Sequence, residues 1–344
     1  MSRFREEIGE QPAVAARLLL AAAPAVEAIG ARFRAAGPAG FVITARGSSD
    51  HAGLYAKYLF GSRNRALVSL AAPSLFTHYA SPPRLAGNCV IGISQSGASP
   101  DVIAVVEEAR RQGCLTVAIT NQAGSRLAQV AELVVALEAG PERSVPASKT
   151  YTASLLALAM LSQAIDPDPV FGAALARVPG ALAAALELDG ELDRLVPVLL
   201  GPRAVVLGRG FNLSTAEEVA LKLTETSYVL ARAWSVADFE HGPIAVVEAG
   251  FPVLLLGTAG PVARDLEEIA ERLAGYSCRV IGLFDGIAGP LEAEASVNLS
   301  SGLPEELVPL TLAVLGQLLA HRVAVALKID PDQPRALNKV TRTW

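Results

Sequence analysis

The residues best equipped for chemistry fall in two hydroxyl-rich turns and in three scattered groups of charged side chains. The first turn is Ser94-Gln95-Ser96-Gly97-Ala98-Ser99-Pro100. An apolar run ends at Ile93. Beyond the turn, Val102, Ile103, Val105, Val106 and Ala109 alternate with Glu107, Glu108, Arg110 and Arg111 at helical spacing. The pattern is strand, small polar loop, amphipathic helix, with Ser99 expected at the N-cap and Pro100 at the first helical position. Free N–H groups at such a helix start favour an anion, and Ser94, Gln95, Ser96 and Ser99 add side-chain donors. No lysine or arginine lies in the loop, so neutral donors would do the binding. The second turn, Gly47-Ser48-Ser49-Asp50-His51, closes another apolar run over 41–45.

The charged groups suit proton transfer. Glu218, Lys222 and Glu225 stand at i, i+4 and i+7 and share one helix face. They read either as a solvated ion-pair row or as a cluster in which Glu225 shuttles protons. Leu223, Tyr228 and Val229 are its near neighbours in sequence, and an apolar setting raises a carboxylate pKa. His241 lies in Asp238-Phe239-Glu240-His241-Gly242-Pro243, on a turn; it is the best histidine candidate, since His51 can cap or line its loop and His78 and His321 have no polar cluster beside them in sequence. Lys339, five residues from the last residue, is by spacing alone structural, solvated or an imine-forming amine.

These residues need strands and helices to place them. Strands are expected over 41–45, 66–71, 88–93, 115–120 and 133–137, then a polar loop over 141–149 and an apolar helix over 150–165. After Asp166-Pro167-Asp168-Pro169 the pattern recurs, with strands over 203–207, 232–236, 252–256, 279–283 and 296–299. Gly210 follows Gly47 by 163 residues and Asp285 follows Asn121 by 164, which marks an internal duplication. The expected fold class is α/β: two tandem flavodoxin-like three-layer α/β/α domains, each with a parallel five-stranded sheet of order 2-1-3-4-5. The crevice of that order opens at the carboxyl ends of strands one and three, which carry Gly47-Ser48-Ser49 and Ser94-Gln95-Ser96. The second half has Gly210-Phe211-Asn212 and Thr258-Ala259-Gly260 there, poorer in donors, so the anion is assigned to the first half. The expected boundaries are a helical leader over 1–36 broken at Pro24, domains over 37–168 and 190–330, and a tail over 331–344 whose Leu337, Val340 and Trp344 could dock it over the crevice when ligand binds.

The 344 residues suffice for two domains; 51% are hydrophobic and the mean hydropathy is +0.39. Residues 13–31 contain Arg17, Pro24 and Glu27, and 308–327 contain Gln317, His321 and Arg322, so neither is an uninterrupted apolar span. The net charge is −5 without a basic block, which argues against nucleic acid. Residues 1–10 show no signal-peptide pattern, and Cys89, Cys114 and Cys278 are too few and too scattered for disulfides or zinc. A cytoplasmic protein without metal or cofactor, off the membrane, is expected.

Taken together, Gly47-Ser48-Ser49, Ser94-Gln95-Ser96-Gly97, Val145-Pro146-Ala147-Ser148-Lys149-Thr150, Gly208-Arg209-Gly210, Ala220-Leu221-Lys222-Leu223-Thr224-Glu225, His241-Gly242-Pro243 and Asp332-Gln333-Pro334-Arg335 with Lys339 resemble the isomerase half of the glucosamine-6-phosphate synthase family, built from tandem sugar isomerase (SIS) domains. The resemblance implies that Gly47, Ser48, Ser49, Ser94, Gln95, Ser96 and Ser99 hold the sugar phosphate, and that Val145, Ala147 and Lys222 belong to the sugar site. It further implies proton transfer by Glu225, ring opening by His241 supplied across a homodimer interface, and an imine at Lys339. Ala98 and Phe211 stand where acidic residues are common, and Asn338 where a small one is usual. No glutaminase fits the opening residues. The stand-alone relatives that this chain resembles best are amino-sugar-phosphate deaminase/isomerases, which convert glucosamine 6-phosphate to fructose 6-phosphate and ammonia. The alternatives are a deglycase or isomerase acting on another aminated ketose phosphate, and a sugar-phosphate sensor, which would not need Glu225, His241 and Lys339 together.

Overall fold

The computed structural model describes residues 2–287, 292–337 and 339. The chain starts with helices α1 (Arg3–Gly9), α2 (Gln11–Ala21) and α3 (Ala23–Ala36). The break expected at Pro24 falls just before it, and Pro24 sits in the first turn of α3, where a missing N–H costs nothing. Then follow β1 (Gly40–Thr44), α4 (Ser48–Arg63), β2 (Leu67–Leu70), α5 (Ser74–Thr77), β3 (Cys89–Ile93), α6 (Pro100–Arg111), β4 (Leu115–Thr120), α7 (Arg126–Val130), β5 (Leu133–Ala136), α8 (Lys149–Ile165) and α9 (Pro169–Glu187). The second series is β6 (Arg203–Gly208), α10 (Asn212–Ser227), β7 (Leu230–Ser235), α11 (Val236–Glu240), β8 (Pro252–Thr258), α12 (Ala263–Gly275), β9 (Arg279–Asp285), β10 (Ala295–Leu299) and α13 (Val308–Ala326).

The chain divides into two compact units. One holds residues 13–142, 149–176 and Lys339; the other holds residues 2–12, 143–148 and 177–337. The first contains a sheet of order β2-β1-β3-β4-β5 with parallel pairing throughout. Its central strands β3 and β4 are buried at every position, as strands covered on both faces must be. Phe41 stacks between Phe33 and Phe60, and α3 lies so close to α8 that a Cβ on Gly30 would come within 2.5 Å of the Ala164 carbonyl.

The second unit repeats the arrangement as β10-β9-β8-β6-β7, which is the same 2-1-3-4-5 order. Strands β8 and β9 run two residues beyond their expected ends, because Gly257 and Thr258 continue the ladder with Phe284 and Asp285. Helix α13 packs on α10 and is buried along nearly its whole length. Among the described residues, two helical stretches, Pro169–Glu187 and Glu305–Ala326, are long and apolar enough to cross a bilayer, and the bent pair α2–α3 makes a third when taken as one span; the first of them is not weighed in the sequence analysis, and the second is 83% buried inside the fold. Gln317 does not interrupt that helix by meeting solvent. It is fully buried and accepts a hydrogen bond from Gln11 Nε2 at 2.9 Å.

Candidate active site

In the first unit, β1 and β3 are neighbours, so the turns that follow them leave the same end of the sheet. Gly47 adopts φ +55° and precedes α4, which begins at Ser48. The turn is braced by Arg46, whose Nε donates to Asp101 Oδ2 at 2.6 Å, and Asp101 is fully buried in the first turn of α6. Burial pushes the Asp50 carboxyl above its ordinary value, against the opposing charges of His51 and Arg46.

The serine loop is organised by its own hydroxyls. Ser94 Oγ accepts from the Gly97 N–H at 3.2 Å and shares a proton with Ser99 Oγ at 3.2 Å; Ser96 Oγ accepts from the Ala98 N–H at 3.3 Å. Ser99 stands at the N-cap of α6 as expected, yet its hydroxyl makes no capping bond because it faces Ser94. Ser94 is buried, Ser96 and Ser99 are partly open, and Gln95 fixes the base of the loop through its backbone carbonyl, which accepts from the Asn121 N–H at 3.1 Å. Gly97 at φ +60° has no room for a side chain: a Cβ would fall 2.0 Å from Ser125 Oγ. Gly97→Ala is therefore expected to lower stability by about 1–3 kcal/mol and to open the serine loop. Thermal unfolding, together with calorimetric titration of a hexose 6-phosphate, checks both effects.

Lys339 belongs to this unit and is not a solvated tail residue. Its Nζ donates to Glu142 Oε2 at 2.7 Å, and its side chain is 22% exposed. The Glu142 carboxylate is buried and also accepts from the N–H and the hydroxyl of Thr150, at 3.0 and 2.8 Å. Lys339 is thus seated on the Glu142 carboxylate. Leu337, expected to bury, is 42% exposed; Val340 and Trp344, the other expected anchors, and Asn338 lie outside the described residues.

The second unit holds the acid–base groups. Lys222 Nζ lies 2.6 Å from Glu225 Oε2 and 3.5 Å from Glu218 Oε1. Lys222 and Glu218 are 1% and 0% exposed, which rules out a solvated ion-pair row; Glu225 is 23% exposed. Glu225 meets the Lys222 ammonium three residues back on the helix. Val145 and Ala147 are half-buried in the loop that groups with this unit. His241 is exposed on the turn after α11, as its Gly-Pro context implies. Tyr228, at φ +57°, takes the Arg335 N–H on its hydroxyl at 3.0 Å and the Arg335 guanidinium on its ring.

The second crevice shows why it is a poor anion site. The Glu305 carboxylate stands against Gly210 and Gly260, where a Cβ would lie 3.5 and 2.7 Å from its oxygens. Burial, helped by Glu306, pushes the Glu305 carboxyl up. The bracing pair, by contrast, is kept: Arg209 Nε donates to Asp265 Oδ2 at 2.7 Å, matching Arg46 and Asp101. In each half the residue ending the fourth strand, or the one just after it, also braces the loop after the fifth: Asn121 bonds Ala139 and Gly140, and Asp285 accepts from the Ser301 N–H.

Glu142 and the Arg46–Asp101 pair went unrecognised as site residues at the level of sequence. For Glu142 no local signal was available; for Arg46 and Asp101 it was their recurrence as Arg209 and Asp265. Burial pushes the Cys89 thiol up to about 12, with Cys114 and Glu132 adding to it, so that cysteine is a packed apolar group and not a nucleophile.

Two parallel α/β sheets of one order, with hydroxyl-rich turns at one crevice and a Glu-Lys-Glu cluster on α10, define a duplicated α/β class of fold. The chain belongs to the SIS domain family, whose pattern it matches over residues 41–164 and 201–327. It is 32% identical over 305 residues to the glutamine–fructose-6-phosphate aminotransferase (isomerizing) of Pyrococcus horikoshii, an alignment covering 87% of this chain and 51% of that protein. The chain thus spans about half the length of the curated relatives it matches. A crystal structure from Silicibacter pomeroyi, described provisionally as a phosphosugar isomerase, superposes with a TM-score of 0.90 at 35% identity over 96% of this chain and 100% of that one. The glucosamine-6-phosphate deaminase of Thermotoga maritima shares the fold, with a TM-score of 0.78 at 19% identity over 99% and 100% of the two chains.

Proposed function

We propose that the protein is a phosphosugar isomerase that acts on a hexosamine 6-phosphate, such as glucosamine 6-phosphate, and releases ammonia with the ketose phosphate. The Glu218–Lys222–Glu225 cluster, in which Glu218 and Lys222 are buried, is the observation that supports this reading most. It places a carboxylate 2.6 Å from a buried ammonium and still partly open to solvent, as a proton-transfer group requires. In the proposed reaction the serine loop and the turn at Gly47 hold the phosphate, and Val145, Ala147 and Lys222 contribute to the sugar site. His241 passes the ring-opening proton, and Glu225 carries hydrogen from carbon 2 to carbon 1 of the open-chain sugar. That transfer turns the amino aldose into a ketose imine, which water hydrolyses to the ketone and ammonia. The Lys339 amine can form an imine with the sugar carbonyl during the sequence.

Incubation with a panel of 2-amino-hexose 6-phosphates, following ammonia and ketose phosphate together, tests the reading. Equimolar release of both from at least one member is expected. Isomerisation without ammonia would move the activity to a neutral aldose–ketose pair, and binding without turnover of any member would make the chain a sensor. We further propose a homodimer that supplies His241 across its interface. Mixing His241→Ala with Glu225→Gln, each inactive alone, is then expected to restore about a quarter of wild-type activity by random pairing of subunits. No recovery after verified subunit exchange overturns the shared site.

A further inference from the structure

Residues 141–148 form no helix or strand, so the backbone groups of that loop need partners from elsewhere. They find one in the leader. Glu7, on α1, is only 5% exposed. Its Oε1 accepts from the Arg143 N–H, and its Oε2 accepts from the Ser144 N–H at 3.2 Å and from the Ser144 hydroxyl. A carboxylate buried this deeply is tolerated only when its lone pairs are filled. Two successive N–H groups on one carboxylate must also point the same way, which fixes the local backbone. The far end of the loop is held in turn, because Gln317 Nε2 donates to the Ser148 carbonyl at 3.3 Å while Gln317 Oε1 accepts from Gln11. Val145 and Ala147 lie between these two anchors. The same short helix receives the start of the tail: Asp332 accepts from the N–H groups of Arg3 and Phe4 at 2.7 and 2.9 Å.

We propose that Glu7 is a positioning residue for sugar binding: its carboxylate sets the backbone of the 143–148 loop and so presents Val145 and Ala147 to the substrate. The proposal rests on the assignment of Val145 and Ala147 to the sugar site. Glu7 lies outside the stretches that match the family pattern, and its role is read from these bonds alone. A general anchoring role for α1 is separable from it. Arg5, on the same helix, bonds Asp189 through Nε and Nη2 at 3.1 and 2.8 Å, and Asp189 also accepts from Arg322; these bonds tie α1 to residues 189 and 322 and do not involve the loop.

The test compares Glu7→Gln with Arg5→Ala in the full chain. The side-chain amide introduced by Glu7→Gln would turn an N–H group toward N–H donors, so hydrogen exchange over residues 143–148 is expected to speed up by about tenfold or more. KM for the hexosamine 6-phosphate is expected to rise by about tenfold, with a smaller change in kcat. Arg5→Ala is expected to lower the unfolding temperature while leaving loop exchange and KM at wild-type values. If Glu7→Gln does not fold, Glu7→Asp shortens the side chain that carries the same carboxylate and is expected to give the same KM-selective pattern at smaller size, with the Ser144 hydroxyl's bond to the Pro146 carbonyl at 3.0 Å left in place. Faster loop exchange with unchanged KM overturns the proposal, and so does a KM shift of equal size in Arg5→Ala. Should the wild type turn over no member of the panel, the functional reading fails on its own. Calorimetric titration of fructose 6-phosphate into wild type and Glu7→Gln then decides the positioning role: weaker binding to the variant supports it and equal binding overturns it.

Discussion

Lys339→Ala is expected to reduce turnover of a hexosamine 6-phosphate by roughly 1,000-fold or more, the scale seen when a covalent or proton-transfer group is removed. The structure gives this prediction a control. Lys339 is held by Glu142, whose carboxylate keeps two bonds from Thr150 when the ammonium is lost. The stability cost is therefore that of one missing partner on a buried acceptor, about 1–3 kcal/mol, and the fold should survive. Glu142→Gln separates seating from chemistry: the amide oxygen can still accept from Thr150, but it no longer attracts the ammonium. A loss of roughly tenfold is expected there, far smaller than for Lys339→Ala. Lys339→Arg should not restore activity, since a guanidinium is a poor imine-forming nucleophile. Borohydride added during turnover should label Lys339 by the mass of the reduced sugar adduct. Full activity in Lys339→Ala would sink the imine and leave the lysine as a structural partner of Glu142.

The contrast between Lys339 and the rest of the site shows what one-dimensional pattern carries. The strands, their order and the crevice were legible because buried parallel strands are apolar runs that end in glycines and hydroxyls, and because the run of elements recurs at a fixed offset. The bracing Arg–Asp pairs could have been found from that same offset, since Arg46 and Asp101 recur as Arg209 and Asp265. Glu142 could not, because its ammonium partner lies 197 residues away and nothing local distinguishes a buried loop acid from a solvated one. Helix α10 misled in a different manner. Periodicity placed Glu218, Lys222 and Glu225 on one face correctly, but charge suggests solvent, and here the face is buried against the fold. The bond between Lys222 and Glu225 follows from that periodicity, since side chains three residues apart on a helix are within reach. The Glu7 contacts carry the same lesson, since a leader helix with two adjacent acids looks like surface until the loop it holds is seen.

Glu225→Gln is expected to lower kcat by roughly 100- to 10,000-fold with little change in KM, because the amide keeps its place but cannot carry a proton. Its oxygen can still accept from Lys222 Nζ, as the carboxylate does at 2.6 Å, so the unfolding temperature should hardly move. Lys222→Met is the opposite experiment. It withdraws the ammonium from two carboxylates at once, and Glu218 is fully buried. Withdrawing the ammonium from that buried charge is expected to cost about 3–5 kcal/mol of stability, the scale for a broken buried pair. The double variant Glu218→Gln with Lys222→Met removes the buried carboxylate charge together with the ammonium and should recover part of that loss. Activity should not return with it, because Glu225 would then lack the ammonium that orients it. Thermal unfolding and steady-state kinetics on the four chains separate the two roles. If the stability-restored double variant regained wild-type kcat, Lys222 would serve only to neutralise Glu218, and the positioning of Glu225 would have to come from elsewhere on the helix.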